Sequence, residues 1–369
     1  MNFTCQREHL LNYIQIVQKA VATKSTMPIL GGIYLKAENG VLELQANDYE
    51  TAIKCSLPAQ VVSAGATVLA AKYFSEIIRR LPGDTVEISA AENKSIKIKS
   101  KRSQYDLVCM PYEDFPLIQS LQSGSVYTIP ENTMKNLIQR TTFACSQDDT
   151  RPVFTGVLIE IENETINFVA TNTHRLAFCT DIIENPERNE LKVIVPAKFL
   201  NELNKIFSAD TEEPVSIRWH QNKLAFEFKD IYMETQLIEG KFPNYQQVIP
   251  KSFKTNVFVQ ISGLTESVER ASLLTRDGDY NVVKMDIKDT EINITSNNPD
   301  VGAAYEETEA RINGEQLTIA FNARYILDAL KVINSPEIEF SFTSPLTPAV
   351  IKPVEQAVFM YVITPVRTN

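Results

Sequence analysis

One short motif recurs at the spacing of a whole domain. Ala71-Lys72-Tyr73-Phe74 returns as Ala197-Lys198-Phe199-Leu200 and again as Ala323-Arg324-Tyr325-Ile326, 126 residues apart each time. Periods of about 20 to 50 residues mark solenoids, whereas a period this long is that of a folding unit with its own core. Three similar domains therefore account for the 369 residues. Their boundaries are expected in the polar stretch Ser120-Leu121-Gln122-Ser123-Gly124-Ser125 and near Pro250-Lys251-Ser252, where turn formers interrupt the periodic pattern. The expected domains are 1–124, 125–250 and 251–369.

Within the first copy, Leu10, Ile14 and Val17 fall at helical spacing and predict a helix over 7–20. Three strand-forming segments follow at 29–37, 41–46 and 51–57, the first two joined by Asn39-Gly40, a strong short hairpin signal. A second helix at 72–81 leads to strands near 85–90, 95–100 and 104–110; Ile96 and Ile98 alternate with Lys97 and Lys99, the pattern of a half-buried antiparallel strand. Helices near 131–143 and 264–274, and hairpin tips at Asn163-Glu164 and Asp289-Thr290, repeat the plan. Each domain thus reads as two helix-plus-three-strand halves. The fold class is α+β, with sequential antiparallel strands covered by helices.

The second helix of each copy is the informative one. Phe74, Ile77, Ile78 and Leu81 form an apolar stripe, repeated by Leu200, Leu203 and Phe207 and by Ile326, Leu330 and Ile333. Lys72 and Arg79 lie seven residues apart, roughly 20° around a helix of 3.6 residues per turn, so they form one row; Lys198 with Lys205 and Arg324 with Lys331 do the same. Glu76, Glu202 and Asp328 sit between the bases, which allows a plain reading as intrahelical ion pairs. All six flanking positions are nevertheless cationic, which also suits weak contact with a polyanion backbone. The net charge of −10 does not exclude this, because exposed charges more than about 8 Å apart are largely screened at physiological salt.

Five scattered cysteines (Cys5, Cys55, Cys109, Cys145, Cys179) show neither a C-x-x-C nor a close Cys/His group, and are read as reduced residues of the core. No metal or cofactor is expected. The N-terminus lacks the layout of a signal peptide and no long uncharged apolar run occurs, so a cytoplasmic location is expected.

With the repeats and basic helices in place, further segments carry a resemblance. Pro28-Ile29-Leu30-Gly31, Val169-Ala170-Thr171-Asn172-Thr173-His174-Arg175-Leu176-Ala177, Gly240-Lys241-Phe242-Pro243-Asn244-Tyr245, Phe321-Asn322 with Tyr325-Ile326-Leu327, and Tyr361-Val362-Ile363-Thr364-Pro365-Val366-Arg367 occur in order and at the right distances. End to end, the chain resembles the bacterial β sliding clamps, the processivity subunits of DNA polymerase III. The resemblance implies a head-to-tail homodimer closed into a six-domain ring around duplex DNA, with Lys24, Lys72, Arg79, Lys198, Lys205, Arg324 and Lys331 facing the hole. It implies a seam where Tyr105 and Leu107 meet Leu273 and Leu274 of a second copy, although these four would otherwise simply fill each domain's own core. It further implies a cleft between the second and third domains that takes short peptides of the polymerase III catalytic subunit, the clamp loader, other polymerases and repair proteins. The matching residues are Phe154, Thr171, Thr173, His174, Arg175, Leu176, Pro243, Gln247, Val248, Tyr280, Asn322, Tyr325, Leu346, Thr347, Pro348, Val362, Thr364, Pro365, Val366 and Arg367. Thr173 stands where such clamps commonly have Gly, Gln247 where Arg is common and Thr364 where Met is common, so a smaller or more polar cleft is expected.

Two other functions compete with a DNA-tethering ring: a cytosolic enzyme with a site around His174 and Arg175, and a scaffold with no nucleic-acid role. No G-x-S-x-G, phosphate loop, H-E-x-x-H or paired-carboxylate motif accompanies His174, so the chain is expected not to be an enzyme.

Overall fold

The computed structural model describes residues 1–91, 94–275, 281–355 and 358–367. Among these residues lie six α-helices: α1 (Arg7–Val17), α2 (Ala71–Arg80), α3 (Glu131–Gln139), α4 (Ala197–Ile206), α5 (Ile261–Ser272) and α6 (Ala323–Leu330). Each is followed by three or more antiparallel strands, as the repeat predicts. Each is also preceded by a strand that the sequence reading omitted, such as Asn2–Gln6 before α1, Gly65–Ala70 before α2 and Leu317–Asn322 before α6.

These short helices follow strands without an intervening loop; α1, α2 and α5 begin without a side-chain cap, whereas Asn322, accepting from the Arg324 N–H at 2.9 Å, caps α6. Their first N–H groups bond instead to carbonyls of neighbouring loops. Arg7 donates to Asp84 at 2.7 Å, Glu131 to Glu213 at 2.9 Å and Ile261 to Pro336 at 2.9 Å, the same contact in all three repeats. Helices of 8 to 12 residues are marginal by themselves. What holds them is the apolar face: Phe74 and Ile78 on α2, Leu200 and Leu203 on α4, and Ile326 and Leu330 on α6 are at most 3% exposed.

By its contacts the chain divides into two compact units, Met1–Asn132 with Lys205–Leu237, and Thr133–Asn204 with Ile238–Asn369. The first contains a five-stranded sheet, Gln60–Ser63, Asn2–Gln6, Thr85–Ala91, Ser95–Ser100 and Ser103–Val108 in spatial order, and an eight-stranded sheet. The second is built on a twelve-stranded sheet. The Asn39-Gly40 tip has φ of 52° and 81°, the left-handed pair that a tight two-residue hairpin needs, and Asn163 takes the same region at 56°. Cys5, Cys55 and Cys179 are buried, Cys109 and Cys145 half-buried, and all five are free thiols; burial pushes Cys5 and Cys145 up to about 12.

The two large sheets are each joined by an antiparallel seam between repeats, and the seams share one register. Strand Thr51–Pro58 pairs with Ile231–Gln236, from Cys55↔Ile231 to Thr51↔Thr235. Strand Arg175–Ile182 pairs with Phe359–Ile363, from Cys179↔Phe359 to Arg175↔Ile363. Cys55 and Cys179 hold the same place in their hairpins, and the seams even share an end contact: Ser56 N–H to the Asp230 carbonyl, and Thr180 N–H to the Val358 carbonyl, both at 3.0 Å. The third hairpin has the equivalent strand, Gly302–Gly314. It pairs with Glu291–Asn298 over residues 302–309, but with Thr255–Gln260 only over 310–314. Among the described residues, the matching last strand of the first repeat, Ser103–Val108, pairs on one side only, with Ser95–Ser100.

Candidate functional site

The second unit holds an apolar cavity of about 310 Å³. It is lined by Phe154, Thr171, Thr173, Arg175, Leu176, Pro243, Asn244, Tyr245, Val248, Pro348, Val362 and Thr364. Leu176 and Val362 are Cα partners across the seam and form its floor. One wall stands on aromatic packing: Phe154 meets Phe242 edge-on at 6.2 Å, and Tyr245 stacks on Phe178 at 6.0 Å. The Tyr245 hydroxyl donates to Glu160 at 2.8 Å; burial and that carboxylate together push its phenol above the ordinary value.

The opposite wall is the turn between strands Thr165–Thr171 and Arg175–Ile182. Asn172 Oδ1 accepts from the His174 and Arg175 N–H groups, each at 3.1 Å, and Thr171 Oγ1 accepts from the Thr173 N–H at 3.1 Å, a side-chain-templated turn. Thr173 is thereby held at φ 77°. A β-branched residue is poorly suited to that region, and such strain costs of order 1–3 kcal/mol. Replacing Thr173 with Gly relieves it against an entropic cost of roughly 0.5–1 kcal/mol. Thr173→Gly should therefore raise stability by about 1 kcal/mol in thermal unfolding, and an unchanged or lowered midpoint would show that the threonine side chain stabilises the turn.

Arg175 lies under the cleft with its side chain 8% exposed. Nη1 meets Asp328 Oδ2 at 2.6 Å, Nη2 donates to the Phe143 carbonyl at 2.5 Å, and the guanidinium lies 4.5 Å from the Tyr325 ring centroid and 5.4 Å from that of Phe143. Burial opposes its charge, but Tyr361 and Asp328 outweigh burial and hold its pKa above the ordinary value. Nε has no hydrogen-bond partner among the described residues.

Of the residues expected at a peptide cleft, Phe154, Thr171, Thr173, Arg175, Leu176, Pro243, Val248, Pro348, Val362 and Thr364 line one cavity. His174 is exposed and contributes its carbonyl, which accepts from the Thr364 N–H at 2.9 Å. Asn322 caps α6, Tyr325 stacks under Arg175, and Thr347 hydrogen-bonds Ser344. Val366 ties the tail to the Ala320 carbonyl at 2.8 Å. Leu346 is 68% exposed, Gln247 and Arg367 are exposed and Pro365 is half-buried; none of these lines the cavity. Tyr280 lies outside the described residues. The reading missed Asn244 and Tyr245 as wall residues, although both close a motif already singled out.

The seven basic residues, Lys24, Lys72, Arg79, Lys198, Lys205, Arg324 and Lys331, are all exposed. The acids between them behave differently from one repeat to the next. Glu76 pairs with its own helix, 2.6 Å from Arg79 and 3.3 Å from Arg80, and the Arg79 hydrogen bond holds its carboxyl below the usual range. Asp328 turns away from its helix to Arg175. At the expected seam, Tyr105 and Leu273 are 43% and 57% exposed, while Leu107 and Leu274 are half-buried.

Comparison with known proteins fits this architecture repeat by repeat. Residues 1–119, 128–244 and 246–367 match the N-terminal, central and C-terminal domains of the DNA polymerase III beta subunit. Over their full lengths, the chain is 35% identical to the beta sliding clamp of Bacillus subtilis and 32% to that of Staphylococcus aureus N315. The crystal structure of the Bacillus subtilis DNA polymerase sliding clamp superposes with a TM-score of 0.96 at 34% identity, covering all of both chains. The Pseudomonas aeruginosa sliding clamp bound to griselimycin superposes at 0.95 and 29%, again over both full lengths. No helix among the described residues is long and apolar enough to cross a membrane. This chain belongs to the bacterial β sliding clamp family, the DNA polymerase III β subunits.

Proposed function

We propose that this sliding clamp acts in the cytoplasm as a head-to-tail homodimer closed around duplex DNA. It tethers the polymerase III catalytic subunit, the clamp loader, other polymerases and repair proteins through short peptides held in the Leu176–Val362 cleft. Its family is a processivity factor and not an enzyme. Arg175, the partner in the competing enzymatic reading, is occupied by Asp328 and Phe143.

The observation that carries the reading is the unfilled third seam. Two seams within the chain share one register, and the same register, carried to a second copy, would pair strand Ser103–Val108 of one copy with strand Gly302–Gly314 of the other. It sets Ser103 opposite Glu306, Tyr105 opposite Ala304 and Leu107 opposite Gly302. Met233 and Tyr361, which hold the place of Tyr105 in the filled seams, are both 0% exposed; Tyr105 is open. Net charge fits as well: the strand and turn before Ser103–Val108 carry Lys94, Lys97, Lys99, Lys101 and Arg102 against Asp106 on the strand itself, and the second strand carries Glu306, Glu307 and Glu309 against Arg311. Closure of such a head-to-tail contact separates a ring from a fibre.

Inside a ring, topology retains the DNA and the basic rows need only weak phosphate contacts. The clamp should therefore remain on nicked circular DNA through about 200 mM salt, where ordinary phosphate binders lose roughly a thousandfold or more in affinity. It should leave once the circle is cut. Release at the same salt from circular and linear DNA would contradict encirclement.

A further inference from the structure

Asp328 sits on α6 between Arg324, four residues before it, and Lys331, three residues after it. Its counterpart Glu76 on α2 shows what an acid in that place does when nothing else claims it, pairing with Arg79 and Arg80 on its own helix. Asp328 instead reaches Arg175, a residue 153 positions away that lines the cleft. Among the described residues, neither Arg324 nor Lys331 has a carboxylate within ion-pair distance. The same junction is secured from two further sides. Tyr361 donates to the Tyr325 carbonyl at 2.9 Å, and Arg175 lies over the Tyr325 ring, one residue from Arg324.

We propose that Asp328 couples the peptide cleft to the basic row of α6, so that DNA in contact with Arg324 and Lys331 tightens peptide binding. The inference rests on the proposed function in taking the α6 row to meet DNA and the cleft to take a peptide. Two arrangements of one carboxylate carry it. With Asp328 on Arg175, the cleft floor is pinned and the α6 cations stand uncompensated. With Asp328 folded back on its own helix, as Glu76 is, the α6 cations are neutralised and Arg175 loses its ion pair, leaving a buried charge unmatched. A phosphate near Arg324 and Lys331 repels Asp328 towards Arg175. A peptide packed over Arg175 and Leu176 favours the pinned floor and keeps Asp328 off the row. Both ligands select the same arrangement, so each strengthens the other by the same factor.

The test is the affinity of a short fluorescent glutamine-and-leucine peptide for the clamp, free and loaded on nicked circular DNA, read by anisotropy. Wild type should bind the peptide on the order of fivefold more tightly on DNA, the low end of ordinary coupling, and the difference should shrink as salt rises. Asp328→Asn should bring the on-DNA and off-DNA affinities to the same value, and Asp328→Glu should restore part of the difference. The double variant Arg324→Gln/Lys331→Gln, which removes the competing partners of Asp328, should lose the difference by raising the off-DNA peptide affinity to the on-DNA value. Equal affinities on and off DNA in wild type would overturn the coupling, as would an Asp328→Asn variant that weakens the peptide equally in both states. Absence of any peptide binding, or of retention on circles, would instead strike the proposed function.

Discussion

Tyr305→Pro should halve the particle. The wild-type clamp should sediment at twice the 41.6 kDa chain mass and the variant at that mass itself. The reason lies in which backbone groups of strand Gly302–Gly314 face outwards. In the filled seams Ser56 and Thr180 donate across to the partner strand, and the equivalent residue of the third repeat is Glu307. Strand geometry has period two, so Tyr305 also turns its N–H away from strand Glu291–Asn298. Proline there leaves the internal ladder intact and removes a donor from the open edge, where it also obstructs the approaching strand. Far-ultraviolet circular dichroism should be unchanged, while Tyr305→Thr, which keeps the N–H, should remain dimeric. Leu273→Ser/Leu274→Ser should act in the same direction by removing apolar cover, since Leu273 is 57% exposed. A Tyr305→Pro protein that still sediments as a dimer would show that this edge is not the seam.

The repeat, the six helices, the hairpin tips and the basic rows were legible because each leaves a local trace: a motif at fixed spacing, an apolar stripe, an Asn-Gly pair. The strands preceding the helices were not. Asn2–Gln6 and Leu317–Asn322 run into α1 and α6 with no Gly or Pro between them, so nothing in the chain marks where period two gives way to 3.6. The partner of Asp328 was equally hidden. Its sequence neighbours are two bases at helical spacing, which predict a local pair, and the contact that wins is Arg175 on another element. Local rules decided Glu76 correctly and Asp328 wrongly, because Asp328 has the buried Arg175 guanidinium within reach. The resemblance named ten of the residues that line the cavity. Asn244 and Tyr245 were missed because residues inside a motif do not announce which of them turn towards a cavity. The residues proposed for the seam carry no signal of their own; Tyr105 becomes interpretable only when Met233 and Tyr361 show what its place looks like when covered.

Val248→Glu should abolish peptide capture while leaving the ring closed and on DNA. Val248 lines the cleft yet is 50% exposed, so a glutamate there remains solvated in the free protein and costs the fold little. A bound peptide changes that balance. Its apolar residues, seated on Leu176 and Val362, would exclude water from the new carboxylate in a site whose lining includes Phe154, Pro243, Tyr245 and Pro348. An unpaired charge buried against such walls is costly, and a loss of about a hundredfold in affinity, roughly 2.7 kcal/mol, is expected. Val248→Ala removes only contact area and should lose much less, and Val248→Gln, polar but uncharged, should fall between the two. The measurement is anisotropy of a fluorescent glutamine-and-leucine peptide, with retention on nicked circles recorded in parallel. Loss of both properties together would mean that the substitution damages the fold. Undiminished peptide binding by Val248→Glu would mean that partners dock elsewhere and that the Leu176–Val362 cleft is not their site.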